Sequence, residues 1–458
     1  MIYTGVAGIY QYSPSRDIIK ITKTLIRNLS HRGTSIVASC KDEAHVDTEE
    51  FTEYGAPILV QFGFDIDIGS FRQTNTSSDR IIVMDGRIYN MSPLKVDKAK
   101  IREASGYFSI AIYDKKKNRL EVYRDFLGRR PLFYGYNSKV FVFASEAKGF
   151  REFMKPKRLP PGSMIIIEED GFSVEEYYEF ESLLEAPSIT DFSKCVSLLE
   201  DMLRTSVGRS MEDGSPAIMF SGGLDSSTLA HIAHEFSDVE LFSIAIPESR
   251  DYIWAKRAAE LLGMRLNLRI VKEEEIEEYI YKTIRATEEK DPLKIMIGTP
   301  IYIVCEFIHD SGYKIALAGQ GADELFGGYA KYLRMTKEEL SKALIEDVRS
   351  LAEKNLERDD NVAMANSVDL RTPYLSDEII KLALRMPIEF KVRNGIRKYI
   401  LRRVAMKMGV PREIVNMEKK AIQYSTGIAK HIGKIAKKRK MSIAEYVSKI
   451  YAEIWGED

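Results

Sequence analysis

Cysteine is scarce in this chain: Cys40, Cys195 and Cys305 stand far apart and show no metal-ligand spacing. Their number argues against a disulfide framework and suits a reducing compartment. No apolar run of about 18 residues occurs, and MIYTGVAGIYQYS lacks a basic stretch followed by a long apolar one. Neither a membrane span nor a secretory leader is expected, which makes the expected location cytoplasmic. An excess of charge of one sign is missing too. Lys and Arg number 67 against 68 Asp and Glu, a formal net charge of -1, so nothing draws the whole chain to nucleic acid or an anionic membrane. The charged fraction, 29% and rich in Lys and Glu, would suit a thermophile.

What is present is enough for large cores: 45% of the 458 residues are hydrophobic, and the length predicts two or three domains. Residues 1–178 alternate short apolar runs with turns, among them VAGIY, APILVQFGF, RIIVMDG, GYFSIAIYD and SMIIIEE, so a β-rich first domain is expected. One helix is expected inside it, over Ile18 to Leu29, whose apolar residues fall at helical spacing. The acidic stretch Glu181 to Phe192 reads as a linker. From 193 to the end, strands and helices alternate: helix 193–211, strand 240–246, helix 252–262, strand 266–271, helices 274–287 and 299–311, and strand 313–318. Repeated β-then-α units predict a parallel sheet covered on both faces. Beyond Tyr329 the pattern is helical, and the basic run Lys437 to Lys440 reads as a solvated helix face.

The most informative stretch is 216–236, PAIMFSGGLDSSTLAHIAHEF. An apolar run enters two glycines and a hydroxyl cluster, then Leu229, Ile232, Ala233 and Phe236 at helical spacing, which predicts strand, tight loop, helix. Such a loop turns backbone N–H groups and the positive end of a helix toward one place, with Ser226 and Ser227 adding hydroxyls, and its natural guest is a phosphate chain. The bland alternative is a glycine turn. The GxxxxGK[ST] loop is disfavoured because no lysine follows these glycines. A second stretch, AGQGADELFGGY at 318–329, also follows a strand, and in an open parallel sheet both loops could face one crevice. Asp225 and Asp323 are then candidate hard-oxygen ligands for Mg²⁺, with a helix cap or an Asx turn as the plain alternative for each.

SGGLDSS resembles the PP-loop of enzymes that split ATP between the α and β phosphates. Together with GQGADELFGGY, Glu288-Glu289-Lys290-Asp291-Pro292, Gly298-Thr299-Pro300, Asn366 to Leu375, Lys398 to Arg402 and Lys419 to Tyr424, it resembles the asparagine synthetase family over nearly the whole chain. The resemblance implies an α/β fold: an N-terminal α+β Ntn-hydrolase-like sandwich over 1–178, then a PP-loop parallel-sheet domain over 193–458 with a helical C-terminal part. It implies that a carboxylate attacks the α-phosphate of ATP and that an amine then displaces AMP. By position, Ser221, Gly222, Gly223, Asp225, Ser226 and Ser227 hold pyrophosphate, and Ser243, Gly319 and Gly321 complete the nucleotide site. Asp225 and Asp323 bind Mg²⁺, Lys398 is the catalytic lysine, and Glu288 accepts the proton of the attacking ammonia, with Glu289 leaving the register open by one. Gln320 and Ala318 depart from the family's usual Glu and Ser.

The front domain resembles the family's glutaminase in Thr4 to Gly8, His31-Arg32-Gly33, Asp85 to Asn90 and Ser145-Glu146. Where active relatives begin with a cysteine after the initiator Met, this chain has Thr4 behind Met1, Ile2 and Tyr3, so the nitrogen of Thr4 is an amide rather than the free amine such a nucleophile uses. Asp85-Gly86-Arg87 replaces the family's Asn-Gly-Glu, whose glutamate pairs with the substrate ammonium. At ~4 Å and an effective dielectric of ~20 two unit charges interact by about 4 kcal/mol, so Arg87 reverses an attraction of that size. A defunct glutaminase is the expectation.

The leading function is therefore an ATP-dependent amide-forming ligase with aspartate as the family's default acceptor. Its ammonia would be free or delivered by an ammonia-supplying protein. An intramolecular amide former of the β-lactam synthetase or lasso-cyclase kind, and a non-catalytic scaffold, are the competing readings. A homodimer is left open, and neither nucleic acid nor membrane is an expected partner.

Overall fold

The computed structural model describes residues 2–12, 18–39, 58–64, 77, 79–185, 187–246, 250–417 and 427–456. Cys40 and the Lys419 to Tyr424 segment lie outside the described residues. The chain divides into two compact units, Met1–Ser182 and Leu183–Asp458. Among the described residues, no helix is long and apolar enough to cross a membrane.

The front unit is a sandwich of two antiparallel sheets. The first has the order β2 (Thr34–Ser39), β3 (Ile58–Phe64), β1 (Ile2–Gln11), β8 (Val140–Ala144), β7 (Phe133–Tyr136) and β9 (Lys157–Arg158). The second runs β11 (Gly171–Glu176), β10 (Ser163–Glu168), β6 (Arg119–Arg124), β5 (Gly106–Asp114) and β4 (Arg80–Ile88). The period-2 alternation explains the layering. On β4, Ile81 and Val83 join Val6, Tyr10 and Phe143 in a core shared by both sheets, whereas Ile82 and Met84 face the opposite side with Ile110 and Ile112. Helix α1 (Ile18–Leu29) lays Ile18, Ile21, Leu25 and Leu29 on the outer face of the first sheet, against Ala7, Ile9 and Val142. Strand β2 went unforeseen, because its mixed run TSIVAS has no clear alternation.

The second unit holds a parallel sheet of order β14 (Leu266–Ile270), β13 (Leu241–Ala245), β12 (Ala217–Met219), β15 (Ile315–Leu317) and β16 (Asp369–Arg371). Its helices begin with α2 (Phe192–Ser210), α3 (Leu224–Phe236), α4 (Arg250–Leu262), α5 (Glu273–Thr287), α6 (Pro292–Asp310) and α7 (Ala322–Phe326). Of the apolar residues on α3, Leu229, Ile232 and Ala233 are fully buried, while Phe236 at the end is 53% exposed.

In the second unit, helix α6 and strand β16 also differ from the sequence expectation. Helix α6 starts at Pro292 rather than at 299, because the Asp291 carboxylate caps it, accepting from Leu293 N at 2.7 Å and Lys294 N at 3.3 Å. Proline in the first turn gives up an N–H that would have had no helical partner. The second difference is β16, a fifth strand inside the region read as helical. At three residues it is too short to leave a periodic signal, and its pairing with β15 alone defines it.

Candidate active site

The chain order of the parallel sheet decides where a ligand can sit. From β12 the chain steps outward to β13 and β14, then returns to the other side for β15 and β16. The direction reverses between β12 and β15, and the crevice beyond the carboxyl ends of strands at such a point is where open α/β sheets bind ligands. Both glycine-rich loops leave the sheet there, Ser221 to Asp225 after β12 and Ala318 to Asp323 after β15.

The first loop is shaped by Gly222, whose φ is +73°. Gly223 is the N-cap of α3 and offers no side chain to the first-turn N–H groups, which leaves them for other partners. Within the loop the serines bond to one another. Ser221 N donates to Ser226 Oγ at 3.2 Å, the two hydroxyls lie 3.1 Å apart, and Gly223 N reaches Ser221 Oγ at 3.4 Å. Ser227 Oγ is buried with no hydrogen-bond partner among the described residues. Ser243 is buried in the neighbouring strand β13.

The second loop packs directly on the first. A Cβ at Gly319 would lie 3.0 Å from Asp225 Cβ, and Gly321, at φ +89°, faces the Leu375 side chain so closely that a Cβ would fall 2.2 Å from Leu375 Cδ2. Asp323 follows in the first turn of α7. Lys398 completes the group. It caps the helix Tyr399–Lys407 with φ +55°, and its ammonium lies 2.7 Å and 2.6 Å from the two carboxylate oxygens of Asp225 and 2.7 Å from Asp323 Oδ1. At 3% exposure it is not the solvated helix lysine that sequence alone would allow. Gly328 passes over the cluster, since a Cβ there would stand 1.7 Å from Asp323 Oδ1 and 2.3 Å from Lys398 Cε.

Two carboxylates converging on one positive centre is an arrangement that fits a hard cation, because Mg²⁺ commonly takes one or two protein carboxylates and completes its shell with phosphates and water. Among the described residues no set of three or more His, Cys, Asp or Glu side chains is placed to hold a metal, so a cation here would depend on a ligand's oxygens. Further groups surround the cluster. Arg397 donates to the Gly328 carbonyl at 2.8 Å, and Arg402 donates to the Arg397 carbonyl at 2.9 Å. Burial lowers the Arg402 pKa, Arg397 adds to this, and Asp225 works against it. The Tyr374 hydroxyl donates to the backbone carbonyl of Asp225 at 3.1 Å, and Trp254 Nε1 donates to the Gly222 carbonyl at 2.8 Å. None of these four carries a local signature; Tyr374, Arg397 and Arg402 lie inside or beside the matched motifs Asn366 to Leu375 and Lys398 to Arg402, Trp254 lies outside both, and only the folded chain gives them partners.

Glu288 is held on a different element, as the C-cap of α5 in the left-handed conformation with φ +56°. That is an uncommon conformation for a residue other than glycine and often marks a constrained position. Its neighbour Glu289 is paired with Lys294.

In the front unit Thr4 lies inside β1, at a register shift between Tyr3 and Gly5, and is fully buried. Its hydroxyl donates to the Arg32 carbonyl. Arg32 returns a bond to the Thr4 carbonyl and also pairs with Glu146 and, at 3.2 Å, with Asp85. Asp85 takes a further ion pair from Arg130 at 3.2 Å and accepts from Ser145 Oγ at 3.1 Å. Glu146 is met by His31 at 2.7 Å and by Lys148. Burial on its own would raise the Glu146 pKa, but Arg32, His31 and Lys148 together hold it well below the ordinary carboxylate value. Burial lowers that of His31. Arg87 lies two residues on from Asp85, half-buried on β4, in register with Tyr107 of β5.

Comparison with known proteins agrees with both halves. Residues 198–453 match the asparagine synthase family model, and residues 95–158 match that of a glutamine amidotransferase domain. A Methanocaldococcus jannaschii protein, provisionally named a glutamine-hydrolyzing asparagine synthetase, is 36% identical over 417 residues, 79% of this chain and 77% of that one. Escherichia coli glutamine-hydrolyzing asparagine synthetase B is 25% identical over 385 residues, 74% of this chain and 69% of its own length. Among solved structures, the glutamine phosphoribosylpyrophosphate amidotransferase of B. subtilis is 16% identical over 58% of this chain and 65% of that one, at a TM-score of 0.31, too low to add to the assignment.

Proposed function

The chain belongs to the asparagine synthase family, whose members are ATP-dependent amide ligases, and on that premise we propose that it adenylates a carboxylate, with aspartate as the first candidate. In this reading the nitrogen is ammonia that the chain's own front unit does not produce. The observation that carries the synthetase half is the Lys398 ammonium clasped between Asp225 and Asp323, at the point where both glycine-rich loops meet.

The reaction assigns each group one task. A carboxylate oxygen of the acceptor attacks the α-phosphorus of ATP, the bond to the β-phosphate oxygen breaks, and pyrophosphate leaves with that electron pair. The N–H groups at the start of α3 and the hydroxyls of Ser221, Ser226 and Ser227 would receive the pyrophosphate oxygens, exchanging the loop's internal bonds for bonds to the ligand. Asp225 and Asp323 would hold Mg²⁺, which when bound neutralises phosphate charge. Lys398 would then turn its positive charge to the phosphates and to the developing oxyanion. Ammonia attacks the acyl carbon, gives a proton to Glu288, and AMP departs. The position of Glu288 at the constrained, left-handed end of α5 favours it as the base.

The loss of glutaminase activity rests on the surroundings of Thr4. Its nitrogen belongs to a peptide inside β1, its hydroxyl is spent as a donor to Arg32, and the neighbouring Asp85 is engaged by two arginines. Among the described residues around Thr4, the amine is a peptide nitrogen and the Asp85 carboxylate is already paired.

The deciding measurement is pyrophosphate release from ATP and Mg²⁺, screened over aspartate and other carboxylates with and without ammonium. Release that depends on both a carboxylate and ammonium supports the proposal. Release unaffected by ammonium points instead to an amine on the substrate itself, and no release with any acid leaves the scaffold reading.

A further inference from the structure

Trp254 has no task in the chemistry above, yet it touches the phosphate loop at its tightest point. It lies on α4, one turn before Ala258, and the two residues back onto Gly222. A Cβ on Gly222 would stand 2.9 Å from Trp254 Cδ1, 3.2 Å from its Nε1 and 3.1 Å from Ala258 Cβ. The indole therefore fills the space a side chain would need, and its N–H also donates to the Gly222 carbonyl at 2.8 Å.

That bond orients more than one oxygen. A peptide unit is planar and trans, so its C=O and the following N–H point in opposite directions. Holding the Gly222 carbonyl against Trp254 turns the N–H of Gly223 into the loop, where it finds Ser221 Oγ at 3.4 Å, beyond the usual range for an N–H···O bond. A donor so weakly engaged is free to change partners at little cost. The carbonyl is also the group in this peptide that would repel an anion, and here it is turned away and satisfied.

We propose that Trp254 is a positioning residue for the phosphate loop, locking the Gly222–Gly223 peptide so that the Gly223 N–H is presented to pyrophosphate. The inference rests on the reading of that loop as a pyrophosphate site. Without the indole the peptide can rotate, and with φ +73° at a glycine the rotated form meets little steric opposition. The bound orientation must then be selected at each binding event.

The test is calorimetric titration of inorganic pyrophosphate with Mg²⁺ into the full chain and into Trp254→Phe, which keeps an aromatic ring and deletes the N–H. Loss of one such hydrogen bond predicts binding weaker by about 5- to 10-fold. The chain has two tryptophans, so Trp455→Phe leaves Trp254 as the sole indole, and its emission should change as pyrophosphate is added. Equal affinity in Trp254→Phe and the parent overturns the inference, even if the variant melts at a lower temperature, because the indole would then only pack. Constant emission during titration of Trp455→Phe, with binding shown by heat, overturns it as well. If the parent chain takes up no pyrophosphate, the reading of the loop falls and this inference falls with it.

Discussion

The Lys398 ammonium is within 2.7 Å of oxygens from both Asp225 and Asp323, although Lys398 and Asp225 are 173 residues apart in the chain. All three side chains are largely buried, so the lysine is the counter-ion that lets two carboxylates share a buried crevice.

Replacing Lys398 by Ala should therefore cost stability as well as turnover. Removing one partner of a buried ion group leaves the other charges uncompensated, at about 3–5 kcal/mol. Added Mg²⁺ should restore the melting temperature of Lys398→Ala far more than it raises that of the parent. Identical Mg²⁺ dependence in the two proteins would contradict a shared cation site. Asp225→Ala should lower pyrophosphate release by at least about 100-fold, the scale seen when a charge-stabilising group is deleted from an active site.

Gly328→Ala tests the roof over the same cluster. The new methyl would fall 1.7 Å from Asp323 Oδ1, so either the carboxylate or the loop must move. Overpacking of this kind costs about 1–3 kcal/mol, and the displaced Asp323 should take catalysis with it. Retention of full turnover in this variant would show that Asp323 is not needed where it stands.

Acid should loosen the front unit through His31 and Glu146. The folded His31 pKa lies below its ordinary 6.5, so below that pH the unfolded chain binds a proton that the folded chain resists, and stability falls. Glu146 acts in the same direction. Its carboxylate is held well below its ordinary 4.5, so its contribution is complete above that value and disappears as pH falls toward the folded pKa. Melting curves taken from pH 8 down to about 2 should drop in two stages, the first below 6.5 and the second below 4.5, and His31→Gln, which keeps a donor for Glu146, should remove the upper one. A His31→Gln profile that overlays the parent's would refute the assignment.

Glutamine should not replace ammonium as nitrogen source. Incubation of the purified chain with glutamine should yield no glutamate or ammonia, and Thr4→Val should leave ammonium-dependent turnover intact while costing about 1 kcal/mol for the lost bond to Arg32. Glutamate formation that disappears in Thr4→Val would show a working nucleophile.

Much of this was legible without coordinates. The pattern from Pro216 to Phe236 specified strand, loop and helix because apolar periodicity and paired glycines are local properties of the chain. Helix α1 and the alternation of strands and helices after residue 192 are local in the same sense. Residue identity alone marks Thr4, Asp85 and Arg87 as departures from the family's glutaminase motif, the departures on which the proposed loss of that activity rests. What the tertiary structure alone decided is which distant groups meet. Lys398 reaches Asp225 and Asp323 because β12 and β15 are neighbours and the chain reverses direction between them, and no spacing encodes that adjacency. The same holds for Trp254 behind Gly222, for β16 beside β15, and for Arg32 between Thr4, Asp85 and Glu146. Each is a contact between segments far apart in sequence, made only when burial of the apolar faces brings them together.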